Sequence, residues 1–230
     1  MYPEQGQYIN IHAHRSAVSG NEWVLQNISA IAYSLGDTDP GDGNQPAACS
    51  VGLHPWDLEE ADVDRVLQKI EQATGHPRVL AIGETGMDSM INTPMDYQEE
   101  IFRKQVAIAE KAGLPVIIHA VKTYQELIGV AKEHQPTVPL VIHGFRGGVQ
   151  LAGDLLKFGF MLSFGEPLLQ SEKVAAAFRE VPAGKFFFET DESEVDIANL
   201  YERAAQLRSV SLQALLAEQH QLFRKILQRL

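Results

Sequence analysis

Six side chains able to hold a metal ion stand at the end of, or directly behind, short apolar runs. They are His12 and His14 in YINIHAH, Glu84 after VLAIG, His119 after LPVII, His143 after PLVI and Asp191 after KFFFET. Imidazoles suit zinc, iron or nickel, and carboxylates extend the range to manganese and magnesium, so this donor set specifies a divalent cation without naming it. His12 and His14 are two apart, and strand side chains alternate between faces, so both rings should project the same way. Six donors exceed what one catalytic ion uses beside its open position, which implies two ions about 3.5–4 Å apart sharing a carboxylate. Glu84 is the natural bridge. Asp191 can hold a metal and also take the proton from an attacking water, giving hydrolysis without a nucleophilic side chain.

Donors so far apart in the chain must be brought together by the fold. Short apolar runs alternate with longer helical stretches, the pattern of crossover-connected parallel strands. Strands are expected over 8–13, 23–33, 47–53, 79–83, 114–119, 139–144, 159–164 and 185–190, and helices over 59–74, 95–112, 123–134, 148–157, 170–180, 194–207 and 211–229. Eight strands suit a closed TIM-type (β/α) barrel, whose strand C-termini converge on one rim. The spacing between the first two strands is too short for a crossover helix, so the first βα unit should be truncated. The clearest helix, Asp96 to Ala112, sets Ile101, Val106, Ile108 and Ala109 near one face. Ser211 reads as a helix start, and Gly75 and Gly113 as stops. The run from Gly36 to Gln45 is a loop by composition.

A chain of 230 residues fits one barrel domain, 1–230, rather than two. Its composition, 45% hydrophobic and 21% charged, is that of an ordinary globular protein and excludes collagen-like, disordered and disulfide-scaffold classes. The N-terminal stretch lacks the pattern of a secretory signal, and no apolar run is long enough to span a bilayer, so a non-membrane protein is expected. One cysteine, Cys49, fits a reducing, cytoplasmic setting and reads as a small buried hydrophobe. The net charge of −11 argues against tight binding of duplex nucleic acid, which needs a basic stripe, though bound cations could reverse the sign locally.

The same residues resemble the TatD family of metal-dependent deoxyribonucleases, in the amidohydrolase-like TIM-barrel group. IHAH resembles the family's opening HxH, SVGLHPW its glycine-His-Pro segment, AIGETGMD its IGE-x-G-x-D block, VIHGFRGG its His-x-Phe-x-Gly turn and FFFETDES its ETD segment. The resemblance implies that His12, His14, Glu84, His119, His143 and Asp191 are the metal ligands, with Glu84 bridging, and that DNA ends or another phosphodiester are the substrate. Several positions depart from the pattern. Asn10 replaces an Asp two residues before the first His, Val121 replaces an Arg expected to reach phosphate, and Ser193 falls in ETDES where a Pro is usual. Leu222 stands about where the last helix should carry Asn. Lys122 and Arg146 are the candidates to replace the missing Arg, and His54 in GLHPW is a candidate substrate contact from the rim.

Other polar residues have plainer readings. Asp88 either supports a ligand or caps the following segment; Glu189 is an ion-paired barrel residue; His76, His134 and His220 are surface residues; Arg224, Lys225 and Arg229 form a solvated helix face. Two alternatives to a deoxyribonuclease are a barrel hydrolase of another ester, lactone, amide or phosphomonoester, and a metal-binding barrel with a scaffold role. No obligate protein partner is implied.

Overall fold

The computed structural model describes residues 2–17, 19–34 and 47–227. Eight parallel strands run in chain order around one sheet: β1 Tyr8–Ala13, β2 Glu22–Ser29, β3 Cys49–Gly52, β4 Val79–Asp88, β5 Val116–Val121, β6 Leu140–Ile142, β7 Met161–Phe164 and β8 Phe186–Phe188. The helices are α1 Ala30–Ser34, α2 Val63–Ala73, α3 Met95–Ala112, α4 Tyr124–His134, α5 Val149–Lys157, α6 Pro167–Gln170, α7 Glu172–Glu180, α8 Ile197–Arg208 and α9 Leu212–Ile226. Among the described residues no helix lies between β1 and β2, so the first βα unit is truncated as the spacing predicts. No helix of the described residues is long and apolar enough to cross a membrane.

The barrel closes at its rim between β8 and β1. The Asp191 N–H donates to His12 C=O at 3.0 Å and the His14 N–H to Asp191 C=O at 3.3 Å. Deeper along the seam, side chains replace the missing ladder. The Tyr201 hydroxyl of α8 donates to Ile9 C=O at 2.9 Å and accepts the Ile9 N–H at 3.0 Å. Asn10 accepts the Thr190 N–H at 3.1 Å and donates to Glu22 Oε1 at 2.8 Å. Asn10 is thus a structural fastener on β1, and it touches none of the six candidate ligands through a hydrogen bond.

Inside the barrel Ile9, Ile11, Leu25, Leu80, Ile117, Val141, Met161 and Phe187 form an apolar plug, closed by Leu222, Phe223 and Leu227 at the end of the chain described. Leu222 packs in that plug, which explains an apolar residue there. The larger core lies outside the sheet, against the helices. On α3 the buried face includes Gln98 and Gln105 beside Ile101, Phe102, Val106 and Ala109, a wider stripe than apolar periodicity alone predicts. Ser211 caps α9 by accepting the Ala214 N–H, and Gly113 ends α3 at φ 65°.

Three expectations change. The second strand ends at Ser29, where the hydroxyl accepts the Ile31 N–H at 3.3 Å and helps start α1, so residues 30–33 are helical rather than extended. β4 continues five residues past its apolar run to Asp88 and is buried throughout, because β5 pairs with it as far as Val121. Its polar second half, ETGMD, looks like a loop in sequence yet is enclosed on both sides. His220 is buried at 6% exposure with Nε2 against Gln7 C=O at 2.9 Å, not a surface residue. The stretch from Gly36 to Gln45 and Arg229 lie outside the described residues.

Candidate metal centre

The rim gathers all six expected donors around Glu84. Glu84 is not at a strand end but inside β4, at a register shift against β5 between Ile82 and Thr85. Two glycines allow the close approach. A Cβ on Gly86, at φ 148°, would lie 2.0 Å from His119 C=O, and one on Gly52 would lie 2.7 Å from Glu84 C=O. No side chain fits at either place.

The two oxygens of Glu84 face different imidazoles. Oε1 lies 2.7 Å from His143 Nε2, 2.8 Å from His119 Nδ1 and 3.3 Å from His54 Nε2. Oε2 lies 3.4 Å from His12 Nε2 and 3.7 Å from His14 Nε2. Asp191 joins the second group, its Oδ1 3.6 Å from His12 and 3.4 Å from His14. Strand alternation thus does send His12 and His14 the same way, with ring centroids 5.4 Å apart. Asp191 has the left-handed φ of 55°, a conformation Asp tolerates better than most residues.

Two carboxylates stand behind the imidazoles. Asp88 Oδ2 faces His119 Nε2 at 3.2 Å, and Glu189 Oε1 faces His143 Nδ1 at 3.5 Å, an ion-pair distance rather than a hydrogen bond. Each holds the far nitrogen and so leaves the near one toward Glu84, the arrangement that orients a metal-binding histidine. Asp88 also accepts the Met90 N–H at 2.8 Å, so it both supports His119 and caps the next turn. Glu189 accepts the Gly144 N–H at 2.5 Å and is fully buried. Gln98 and Gln105 of α3 tie down the same rim: Gln98 accepts the Asp88 N–H, and Gln105 pairs with both backbone groups of Leu53, just before His54.

His54 differs from the other histidines. Its Nδ1 accepts the Trp56 N–H at 3.2 Å, so a neutral ring carries its proton on Nε2, the nitrogen aimed at Glu84. It can donate there, whereas a ligand must offer a lone pair.

Electrostatics match a cation site. Burial and His143 push the His12 pKa down, but Asp191 and Glu84 outweigh them and raise it. The neighbouring carboxylates of Asp191 and Glu84 raise His14 to about 10. Burial opposes charge on His143, yet Glu84 and Glu189 lift it well above the usual histidine range. Burial also pushes Glu84 and Asp191 upward, but the surrounding imidazoles hold both far below the usual carboxylate range. These carboxylates draw positive charge to themselves, which divalent ions would supply in place of protons. His12 is the sharpest sign. It is fully buried and neither ring nitrogen has a hydrogen-bond partner, a state that folded proteins avoid unless something else binds there.

Two cavities open from this centre. One of about 350 Å³ is lined by His14, Asn27, His54, Trp56, Asp57 and Glu192 among others. Another of about 530 Å³ carries Lys122, Arg146 and Lys173, and shares His119, His143 and Asp191 with the first. Lys122 and Arg146 are therefore beside the centre, as expected. Asn27, Trp56 and Lys173 were not singled out by sequence. Asn27 accepts the Glu84 N–H at 2.9 Å, and a polar residue inside the apolar run of β2 is the signal that could have found it.

A model of the TatD-related DNase family matches residues 41–228. The uncharacterized metal-dependent hydrolase YabD of Bacillus subtilis is 33% identical over 146 residues, 62% of this chain and 57% of that protein. The 3'-5' ssDNA/RNA exonuclease TatD of Dickeya dadantii is 28% identical over 166 residues, 70% of this chain and 62% of that protein. The chain thus spans about three fifths of the length of these relatives. The crystal structure of YjjV, a TatD homologue from Escherichia coli, superposes with a TM-score of 0.82 over 97% of this chain and 99% of that one, at 22% identity. That likeness is one of fold. With the family model covering most of the sequence and the barrel shared, the chain belongs to the TatD-related DNase family.

Proposed function

We propose that the protein is a metal-dependent phosphodiesterase that removes nucleotides from single-stranded DNA ends, using two divalent ions of magnesium, manganese or zinc. The observation that carries this reading is the division of imidazoles between the two oxygens of Glu84, which suits one carboxylate shared by two ions. His12, His14 and Asp191 would hold one ion, His119 and His143 the other, and Glu84 both. Bound ions would supply Lewis acidity, drawing electron density from a phosphodiester oxygen and making the attacking water more acidic.

The chain's own groups do the rest. Asp191, partly open to the cavity, accepts the proton as the water oxygen bonds to phosphorus and the bond to the departing nucleotide breaks. The departing oxygen takes up a proton from solvent water. His54 donates from Nε2 to a phosphate oxygen near the centre, and Lys122 or Arg146 contacts phosphate from the other side. The exonuclease name of one relative supports nucleic acid as substrate. A cytoplasmic setting suits the single, buried Cys49, whose thiol pKa burial pushes up to about 12.

The test is metal analysis of the purified protein followed by turnover assays with that metal. Two ions per chain and cleavage of single-stranded DNA are expected. Cleavage of a lactone, amide or phosphomonoester with no DNA substrate cut would replace this reading with another hydrolase, and metal binding without any turnover would leave a scaffold.

A further inference from the structure

The two cavities differ in chemistry. The one beyond Lys122 and Arg146 also receives Lys173 from α7, whose stem rests on Gly148: a Cβ there would lie 3.3 Å from Lys173 Cγ. Among the described residues none of these three cations makes an ion pair with a carboxylate. Lys122 also has a left-handed φ of 56°, strain that a lysine keeps only where its surroundings impose it.

Among the described residues, no lysine or arginine lines the cavity on the other side. Besides the metal-site donors it presents Asp57, Glu192 and the indole of Trp56. Trp56 is 64% exposed yet fixed: its Nε1 donates to Asp88 Oδ2 at 2.7 Å, and its ring stands edge-on to His54 at 5.0 Å and 86°. A large aromatic ring held rigidly and left uncovered is a surface waiting for a flat partner. The loop would be ordered as well by a residue whose ring was buried.

We infer that a single nucleic-acid strand crosses the centre in one sense, its terminal base stacked on Trp56 and its continuing phosphates lying along Lys122, Arg146 and Lys173. This rests on the phosphodiesterase reading above and adds a direction to it. Phosphates beyond the scissile one meet cations on one side. On the other they would meet Asp57 and Glu192, so the strand ends there. A cavity of about 350 Å³ is at the small end of ligand pockets, which suits one nucleoside. Stacking tolerates every base, so trimming would proceed with little regard to sequence.

The chain has two tryptophans, and Trp23 is buried at 6% exposure, so emission quenched by an added base reports Trp56. The probe is a single-stranded hexanucleotide with phosphorothioate linkages, added to the metal-loaded protein. Quenching is expected, and it should vanish in Trp56→Phe titrated with the same probe and in the wild type titrated with a probe whose terminal residue is abasic. In steady-state cleavage, Trp56→Ala should raise KM about tenfold on the normal end and by a much smaller factor on the abasic end. Lys173→Ala should raise KM about threefold or more for the hexanucleotide and leave a dinucleotide, with its single scissile phosphate, unchanged.

Quenching independent of the terminal base, or an equal loss for Trp56→Ala on normal and abasic ends, would overturn the assignment and leave Trp56 as a loop anchor. An equal loss for Lys173→Ala on both lengths would overturn the direction of the strand. If the probe binds with base-dependent quenching but no DNA is cut, the binding sense stands and the phosphodiesterase reading falls; if neither is seen, both fall.

Discussion

Around the rim, two regions carry the functional side chains in opposite ways. The candidate metal centre stands on or beside the strands, and its members are enclosed and cross-braced: Glu84 lies between Asn27 and two sets of imidazoles, His119 is backed by Asp88 and His143 by Glu189. The surrounding substrate region stands on loops and helix ends. Lys122, Arg146 and Lys173 are exposed, and the Trp56 ring, itself exposed, is held by the hydrogen bond of its indole to Asp88. A strand fixes a side chain through its ladder and its packed neighbours, whereas a rim loop can change its residues without disturbing the barrel. That difference fits Ser193, on the loop after β8, whereas Asn10 and Val121 depart from the family pattern on the strands β1 and β5 themselves.

The comparison can be broken at the centre first. Glu84→Gln removes the charge that both groups of imidazoles share, so activity should fall by roughly a thousandfold or more and metal content should drop below two ions per chain. Retention of both ions, measured by elemental analysis, would show that Glu84 is not their bridge. Gly86→Ala drives a methyl into the His119 carbonyl and should cost about 3 kcal/mol in chemical unfolding. Glu189→Gln should weaken metal binding about 10- to 100-fold in chelator competition while the fold is kept, because His143 loses the partner that orients it. An unchanged affinity would reduce Glu189 to the hydrogen bond it makes with Gly144.

Smaller effects sharpen the boundary between the regions. Asn10→Asp replaces a donor to Glu22 by a like charge at 2.8 Å, and should lower stability by about 1–3 kcal/mol without altering metal content. The metal-free protein also has a pH signature. Asp191 and Glu84 raise the His14 pKa to about 10, so the stability gained from its proton is fully present below about 6.5 and lost as pH rises through 10. Thermal melts in chelator should fall across that window in the wild type and fall less in His14→Ala.

Much of this was readable from sequence because two simple periodicities carry it. Apolar runs separated by helical stretches located all eight strands, and the period of two along β1 set His12 and His14 on one side. Ends were less legible. Ser29 turned a strand into a helix with its own hydroxyl, and β4 ran on through ETGMD because β5 pairs with it as far as Val121, a fact no local pattern contains. Gln98 and Gln105 carry no apolar signal on α3 yet satisfy backbone groups of the rim, so their burial depends on partners outside their own helix.

The sequence by itself determined the donor types, their order on successive strands and hence the candidate metal centre of a barrel, since residue chemistry and strand alternation are local properties. Only the tertiary structure decided how those donors divide between the two oxygens of Glu84, and which nitrogen of His54 carries its proton. It also decided that Trp56 and Lys173 stand on opposite sides of the centre. These are relations between elements that meet solely through barrel closure, and closure is set by the packing of the whole chain rather than by any segment of it.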